Sequence, residues 1–289
     1  MSAYEDLERR FRRLNALSEA AGLLHWDMAT MMPPGGAEAR GEQLAALDLT
    51  CHELLSAPEM ADLLAAAAEE AESLEPWARA NLRDMRRRWR HESALEPALV
   101  EALSKVGNAC EMVWREARAK ADFAMVLPKL EELLGLTRQA AAAKAVVLGC
   151  PPYDALLDQY EPGGSSARID AIFDDLAAFL PEFLGRVLER QAAAPAPLPH
   201  EGPFPVGTQR AFARRLMETV GFDFEHGRLD ESLHPFCGGV PEDLRITTRY
   251  DEADFMKALM GVLHETGHAM YERGLPAKWR LQPVGEARG

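Results

Sequence analysis

The 289-residue sequence has no long hydrophobic run and no excess of positive charge. No stretch approaches the roughly 18 consecutive apolar residues that a transmembrane helix needs, so no membrane association is expected. Lysine and arginine total 32 against 46 aspartates and glutamates, a formal net charge of -14. This charge would repel a nucleic-acid backbone. No apolar leader segment follows the first residue. These absences predict a cytoplasmic protein that binds neither membranes nor nucleic acids.

Cysteine is also scarce. The four cysteines lie far apart, and none forms a CxxC pair. A chain of this length can bury a hydrophobic core without disulfides. We therefore expect reduced, buried thiols at all four positions, which are Cys51, Cys110, Cys150 and Cys237.

Helical periodicity dominates the first 220 residues, where apolar positions recur three and four apart and β-branched runs are few. Ser166 is expected to cap the seventh helix. The predicted helices span residues 4–29, 37–55, 58–72, 77–90, 98–120, 126–148, 167–191 and 209–219.

A Pro-rich connector spans residues 192–207. It could mark a domain boundary. We interpret it instead as a surface loop, because the helices on its two sides have similar composition. Residues 1–289 are accordingly predicted to form a single helical domain.

The pattern changes after Gly221. Glycine and proline turns precede an alternating, β-branched run at 244–250, which predicts a short strand. A helix follows, with Asp251 as the expected N-cap and Gly274 as its stop.

This last helix contains the sequence LHETGHAMYERG, residues 263–274. Because each helical residue advances by about 100°, His264 and His268 project from one face, one turn apart, and can bind the same ion. Glu265 lies beside them, where a carboxylate can take a proton from a metal-bound water. Gly267 leaves room for a substrate. A zinc site needs a third protein ligand, and two unrelated histidines on a surface helix are the alternative interpretation.

Three segments follow one another in the last quarter of the chain: DESLHPF at 230–236, DLRITTRY at 243–250, and LHETGHAMYERGLP. Together with LLHWDMATMMPPGG near the start of the chain, they resemble the HPF motif, the DxRxT motif, the active-site helix and the N-terminal region of the carboxypeptidase Taq family of thermostable-type metallocarboxypeptidases. The resemblance extends over essentially the whole chain.

The resemblance implies a mainly α fold of the neurolysin-like and angiotensin-converting-enzyme-like type, with a small β-sheet beside the active-site helix. It implies a homodimer that releases single C-terminal residues from peptide substrates. One divalent ion would be bound by His264 and His268, with Glu265 as the general base. Zinc is expected, although the same ligands also suit cobalt or manganese. His234 and Arg245 are expected near the groove, in contact with substrate or supporting the ligands.

The resemblance places the third ligand, a glutamate in a HES-like segment, just beyond Gly289. Glu286 is a weaker candidate, at a separation that a site of two histidines and one glutamate could use. Two alternatives therefore stand beside the carboxypeptidase. The chain could be a catalytically impaired, truncated form or scaffold that lacks the third ligand, or a related endo-acting oligopeptidase.

Other charged and polar residues have competing interpretations. Arg245 could orient a carboxylate through a bidentate pair, or it could pair with Asp243. Thr247 and its neighbouring backbone could form a sheet edge that hydrogen-bonds an extended peptide. His25 is expected to cap and pack. The basic run at 83–92 is interpreted as a solvated helix face with its tryptophan turned inward.

Overall fold

The computed structural model describes residues 2–196 and 198–287. Helices dominate these residues, and each predicted helix is present with its ends shifted by up to three residues. A short helix, α7, was not predicted. The helices are α1 (Ala3–Thr30), α2 (Ala37–Ser56), α3 (Pro58–Glu69), α4 (Pro76–Glu92), α5 (Pro97–Lys120), α6 (Phe123–Leu148), α7 (Pro152–Leu157), α8 (Ser166–Ala192), α9 (Val206–Thr219) and α10 (Phe255–Arg273).

Several helix starts follow from local chemistry. Proline lies in the first turn of α3, α4, α5 and α7, where its missing N–H and fixed φ angle cost nothing. The cap of α8 is Ser165, whose side chain accepts a hydrogen bond from the backbone N–H of Arg168. The predicted cap, Ser166, is therefore wrong by one position and is the first helical residue.

Three short strands form one sheet: β1 (Gly227–Glu231), β2 (Cys237–Val240) and β3 (Asp243–Thr248). β3 is the central strand, with β1 parallel on one side and β2 antiparallel on the other. The predicted strand at 244–250 is confirmed in position but ends two residues earlier. Because both sides of β3 are paired, the prediction that Thr247 lies at a sheet edge is wrong.

Two hydrophobic clusters hold the elements together. The first joins α1, α3 and α4 with a turn beyond α10, through Phe11, Leu64, Met85 and Trp279. The second packs α9 and α10 against the sheet and includes Met217, Ile246, Val262 and Ala269. Helix α10 therefore turns its apolar face to the sheet, as the resemblance implied, and leaves its opposite face open.

A buried polar network fixes the segment after α10. Asn81 of α4 donates to Tyr4 Oη and to Gln282 Oε1, each at 3.1 Å. Its own carbonyl oxygen accepts from the backbone N–H of Val284 at 3.1 Å. Gln282 in turn donates to the backbone carbonyl of Glu8 at 3.0 Å. The start of the chain and the residues that follow α10 are thus held against the same helix.

Helix α8 differs from the other long helices because none of its described residues is buried. The Pro-rich segment predicted at 192–207 lies between α8 and α9, and its residue Pro197 is outside the described residues. Within the described part of the chain, no helix combines the length and hydrophobicity needed to cross a membrane. The exposed large apolar side chains of α8 are Ile172, Phe173, Leu176, Phe179, Leu180, Phe183, Leu184 and Leu188.

Candidate metal centre

The start of α10 is set by Asp254. Its side chain accepts from the backbone N–H of Met256 at 3.1 Å. Asp251, the predicted N-cap, instead accepts from the N–H of Ala253 at 2.9 Å, in the turn before the helix. The predicted cap is wrong because two aspartates three residues apart both suit this position, and the later one takes it.

The two histidines of α10 converge. The Nε2 atoms of His264 and His268 are 3.2 Å apart, and both side chains are exposed. A tetrahedral zinc ion with Zn–N bonds of about 2.05 Å requires a separation of about 3.3 Å between two ligand nitrogens. The pair therefore has the spacing that one divalent ion needs, and the chemistry of two imidazoles suits such an ion.

A third ligand is missing from the described residues. In residues 2–196 and 198–287, no group of three or more His, Cys, Asp or Glu side chains could hold a metal ion. The carboxylate of Glu286 forms an ion pair with Arg88 of α4 instead of joining the histidines. The structure thus does not support Glu286 as the third ligand.

Glu265 lies on the inner side of the same helix turn, where it is only 8% exposed. The thiol of Cys237 on β2 lies near enough to feel its charge. Burial, followed by the negative charges of Glu265 and Glu272, raises the pKa of this thiol to about 12. Cys237 therefore stays a neutral thiol. The Glu265 carboxylate is thus buried beside the exposed histidine pair.

The loop between β1 and β2 carries His234, which is exposed. Pro235 of this loop packs over Gly261, where a Cβ atom would lie 3.7 Å from its ring. Gly261 is one turn before His264 on α10. The buried Thr247 of β3 holds the loop at both ends. Its hydroxyl accepts hydrogen bonds from Ser232 Oγ at 2.7 Å and from the N–H of Phe236 at 3.0 Å.

Arg245 makes the local pair that the sequence analysis left open. Its guanidinium donates to both carboxylate oxygens of Asp243, at 3.1 Å and 2.8 Å. The same guanidinium lies 4.1 Å above the ring of Trp26, and Arg228 of β1 lies over that ring at 5.0 Å. Arg245 therefore joins the sheet to the end of α1, with its Nε and Nη2 groups paired with Asp243.

Comparison with known proteins places the chain in a family. The profile of the carboxypeptidase Taq (M32) metallopeptidase family matches residues 6–289. The chain belongs to this family. It is 36% identical over 99% of its length to thermostable carboxypeptidase 1 of Thermus thermophilus, and 31% identical over 91% to carboxypeptidase 1 of Bacillus subtilis. It spans 58% and 52% of the lengths of these relatives.

Solved M32 structures share the fold. Metallocarboxypeptidase 1 of Trypanosoma cruzi is 44% identical, with a TM-score of 0.88 over 99% of this chain and 58% of that chain. A carboxypeptidase of Pyrococcus furiosus is 30% identical, with a TM-score of 0.81 over 99% of this chain and 57% of that chain. The family resemblance and the mainly α fold predicted from the sequence are confirmed.

The sequence analysis missed two residues that hold the segments around the histidine pair. Trp26 was given no role, yet its ring lies under the guanidinium of Arg245. His25, which was expected to cap and pack, is exposed instead. Ser232 was not singled out, although its hydroxyl contacts Thr247 and the carbonyl of His234. Trp26 lies over 200 residues from Arg245 in sequence, so no local pattern could have paired them.

The basic run at 83–92 differs in part from its interpretation as a solvated face. Arg87 donates to the backbone carbonyl of Asp158 at 2.7 Å, and Arg90 donates to that of Val147 at 2.6 Å. Trp89 packs against the first hydrophobic cluster, as predicted. Arg87 and Arg90 therefore bind neighbouring segments of the fold, whereas Arg83 and Arg86 are exposed, as a solvated face requires.

Proposed function

We propose that this M32 chain carries the metal-binding and proton-transfer residues of a carboxypeptidase that releases single C-terminal residues from peptides. The observation that supports this most is the 3.2 Å separation of the His264 and His268 Nε2 atoms beside the buried Glu265. The M32 relatives named above are themselves called carboxypeptidases.

His264 and His268 would hold one divalent ion through Nε2, with zinc first and cobalt or manganese as alternatives. Such an ion, when bound, polarises a peptide carbonyl and acidifies a water molecule. Glu265 accepts the proton of the attacking water on a carboxylate oxygen. It then donates that proton to the amine nitrogen as the C–N bond breaks. The open face at Gly267, where a Cβ atom would meet nothing within 4 Å, leaves room for the peptide.

The residues around the histidines have supporting roles in this proposal. His234 is exposed on a loop that packs against the histidine-bearing helix, and these two features support a contact with substrate. Thr247 holds that loop through its hydroxyl. Arg245 is a positioning residue, because Asp243 and Trp26 occupy its guanidinium.

A catalytically impaired form or scaffold is the second candidate, and one observation favours it. The described residues supply two metal ligands and no third. Two ligands hold an ion weakly. The metal content of the purified chain decides between the candidates. Less than about a tenth of an equivalent of bound zinc after dialysis against zinc would support the scaffold.

Activity is tested with a peptide whose C-terminus is free and the same peptide with an amidated C-terminus. Removing the general base by Glu265→Gln should lower kcat/KM by about 10²–10⁴-fold while bound zinc is unchanged. The control is Glu252→Gln, an exposed carboxylate in the turn before α10, which should leave hydrolysis unchanged. Chelation should abolish hydrolysis in the unmodified protein.

Two results would contradict the carboxypeptidase proposal. If Glu265→Gln hydrolysed the free peptide as fast as the unmodified protein, the carboxylate would not be the base. If the amidated peptide were cut as fast as the free one, the activity would be that of an endo-acting oligopeptidase.

We further infer a single domain of residues 1–289, a cytoplasmic location and a homodimer. The connector supports the first inference, because Phe204 donates its N–H to the Glu252 carbonyl at 2.8 Å and packs on the ring of Phe255. The four cysteines are all free and suit a reducing compartment. Only Cys110 is fully buried, so the expectation of four buried thiols is wrong for the other three, which are half-buried. Light scattering of the purified protein tests the homodimer.

A further inference from the structure

Four arginines of α4 line one small cavity. The cavity has a volume of about 400 Å³ and lies between α4, the end of α6, α7 and the start of α8. Its volume falls in the range of small-molecule sites, about 300–1,000 Å³. Among the described residues, none that lines it belongs to the sheet or to α10. The cavity is therefore separate from the histidine pair.

The four arginines share one face of α4. Arg83 precedes Arg86 and Arg87 by three and four residues. Arg90 follows the same two residues by four and three. Side chains at these spacings are neighbours on a helix surface, with Cβ atoms about 5–6 Å apart, and like charges there destabilise the helix. A chain with a net charge of -14 therefore concentrates four positive charges around one cavity.

Two of the four guanidinium groups have acceptors within the fold, and two have none. Arg87 donates to the backbone carbonyl of Asp158 at 2.7 Å and lies 3.8 Å from its carboxylate. Arg90 uses Nη2 for a backbone carbonyl at the end of α6, at 2.6 Å. Arg83 and Arg86 are exposed, and in the part of the chain that the structure describes neither has a hydrogen-bond or ion-pair partner. Their N–H groups are therefore accessible to a ligand.

The two carboxylates of the lining, Asp154 and Asp158, are bonded to other parts of the fold. Asp158 contacts the ring of His91 at 2.7 Å and accepts from the N–H of Gly163 at 2.8 Å. Asp154 accepts from the N–H of Ser166 at 3.0 Å. Four guanidinium groups against two carboxylates leave the lining with an excess of two positive charges. A dianion in the cavity would balance this excess.

The start of α8 lines the same cavity through Ser165, its N-cap. The Ser165 hydroxyl accepts from the N–H of Arg168, and a hydroxyl in this role keeps its own proton for a further acceptor. The N-terminus of a helix of 27 residues also carries a partial positive charge. Gly163, in the turn before it, has a φ angle of 78°, and a Cβ atom there would meet nothing within 4 Å. This side of the cavity thus attracts negative charge and leaves room for it.

We propose that this cavity binds the phosphate group of a small molecule as its dianion. Arg83 and Arg86, one turn apart, donate to the phosphate oxygens, and guanidinium groups match phosphate in geometry as well as in charge. The partial charge at the start of α8 adds to the attraction. A nucleic acid does not fit, because its further phosphates would meet a chain with a net charge of -14. The site requires neither a metal ion nor peptidase activity.

Isothermal titration of the metal-free protein at constant ionic strength tests the site. Inorganic phosphate and glycerol 3-phosphate are the probes, and succinate is a dicarboxylate of similar charge for comparison. Both phosphates should bind. Succinate should bind at least about tenfold more weakly, because its four oxygens are not gathered around one atom. The tighter of the two phosphates shows whether the free ion or a phosphate ester is the ligand.

Substitution of the two unpartnered arginines identifies the donors. Arg83→Gln and Arg86→Gln each remove a charged donor and should each weaken phosphate binding at least about fivefold. The matched control is Arg12→Gln, because Arg12 is an exposed arginine of α1 that does not line the cavity. It should leave phosphate binding unchanged. His264→Ala should also leave it unchanged, because the histidine pair lies elsewhere.

Urea unfolding provides a second readout. The double variant Arg83→Gln/Arg86→Gln loses two like charges from one helix face, so without phosphate it should be at least as stable as the unmodified protein. Saturating phosphate should raise the urea midpoint of the unmodified protein by binding to the folded state. The midpoint of the double variant should rise less, by the general salt effect alone.

Four outcomes would overturn the proposal. Neither phosphate might bind, or succinate might bind as tightly as the better phosphate. Arg12→Gln could weaken binding as much as Arg83→Gln does, which would mean that net charge alone attracts the ion. Phosphate could also stabilise the double variant as much as it stabilises the unmodified protein.

Discussion

Two adjacent threonines on β3 provide a matched test of how the loop carrying His234 is held. Thr247 and Thr248 are both fully buried. The Thr247 hydroxyl accepts from the N–H of Phe236 at 3.0 Å and from Ser232 Oγ at 2.7 Å. The Thr248 hydroxyl is buried without a hydrogen-bond partner. Thr247→Val therefore removes a hydroxyl that accepts hydrogen bonds, whereas Thr248→Val removes a hydroxyl that has no hydrogen-bond partner.

The two substitutions should have different effects on the free energy of unfolding. In Thr247→Val, Ser232 Oγ keeps its hydrogen bond to the carbonyl of His234 at 2.6 Å, but the N–H of Phe236 loses its acceptor. Such a loss costs about 1–3 kcal/mol, which lowers Tm by about 2–4 °C for each kcal/mol in a domain of this size class. Thr248→Val should leave the free energy unchanged or raise it by up to about 1 kcal/mol.

Urea unfolding followed by circular dichroism measures both variants against the unmodified protein. The slope of the unfolding free energy with urea concentration should stay constant, so that the midpoint reports stability directly. If Thr248→Val were as destabilising as Thr247→Val, the hydroxyl contacts would not explain how this loop is held.

The other predictions concern stability. Burial lowers the pKa of His91 despite its contact with Asp158. Because the unfolded chain then binds the proton more readily, the urea midpoint should fall as the pH drops below about 6.5. His91→Gln should reduce this dependence of the midpoint on pH, and an unchanged dependence would show that His91 does not cause it. Asn81→Leu removes the buried contacts to Tyr4 and Gln282 and should cost about 2–4 kcal/mol in urea unfolding; a loss below about 0.5 kcal/mol would show that the network does not stabilise the fold.

Local patterns were sufficient for the helices and for the convergence of the two histidines. Apolar spacing and first-turn prolines fix where most helices begin, and a four-residue separation places His264 and His268 on one face in any α-helix. The confirmed parts of the fold are those that depend on residues close in sequence.

Local patterns could not predict which segments far apart in the sequence pair with each other. Alternation in 244–250 predicts a strand but not its partners. β3 is paired on both sides, in parallel with β1 and antiparallel with β2. The packing of the Trp26 ring under the guanidinium of Arg245 joins a helix and a strand that are far apart in sequence.

The polar network around Asn81 has a consequence for the order of events during synthesis. Helices α1 and α4 leave the ribosome early, but two of the groups that satisfy Asn81 belong to Gln282 and Val284. Until those residues emerge, a buried amide on α4 has to be hydrated, and the first hydrophobic cluster also lacks Trp279. The nascent N-terminal helices should therefore remain loosely packed, open to chaperones and proteases, until translation has passed α10.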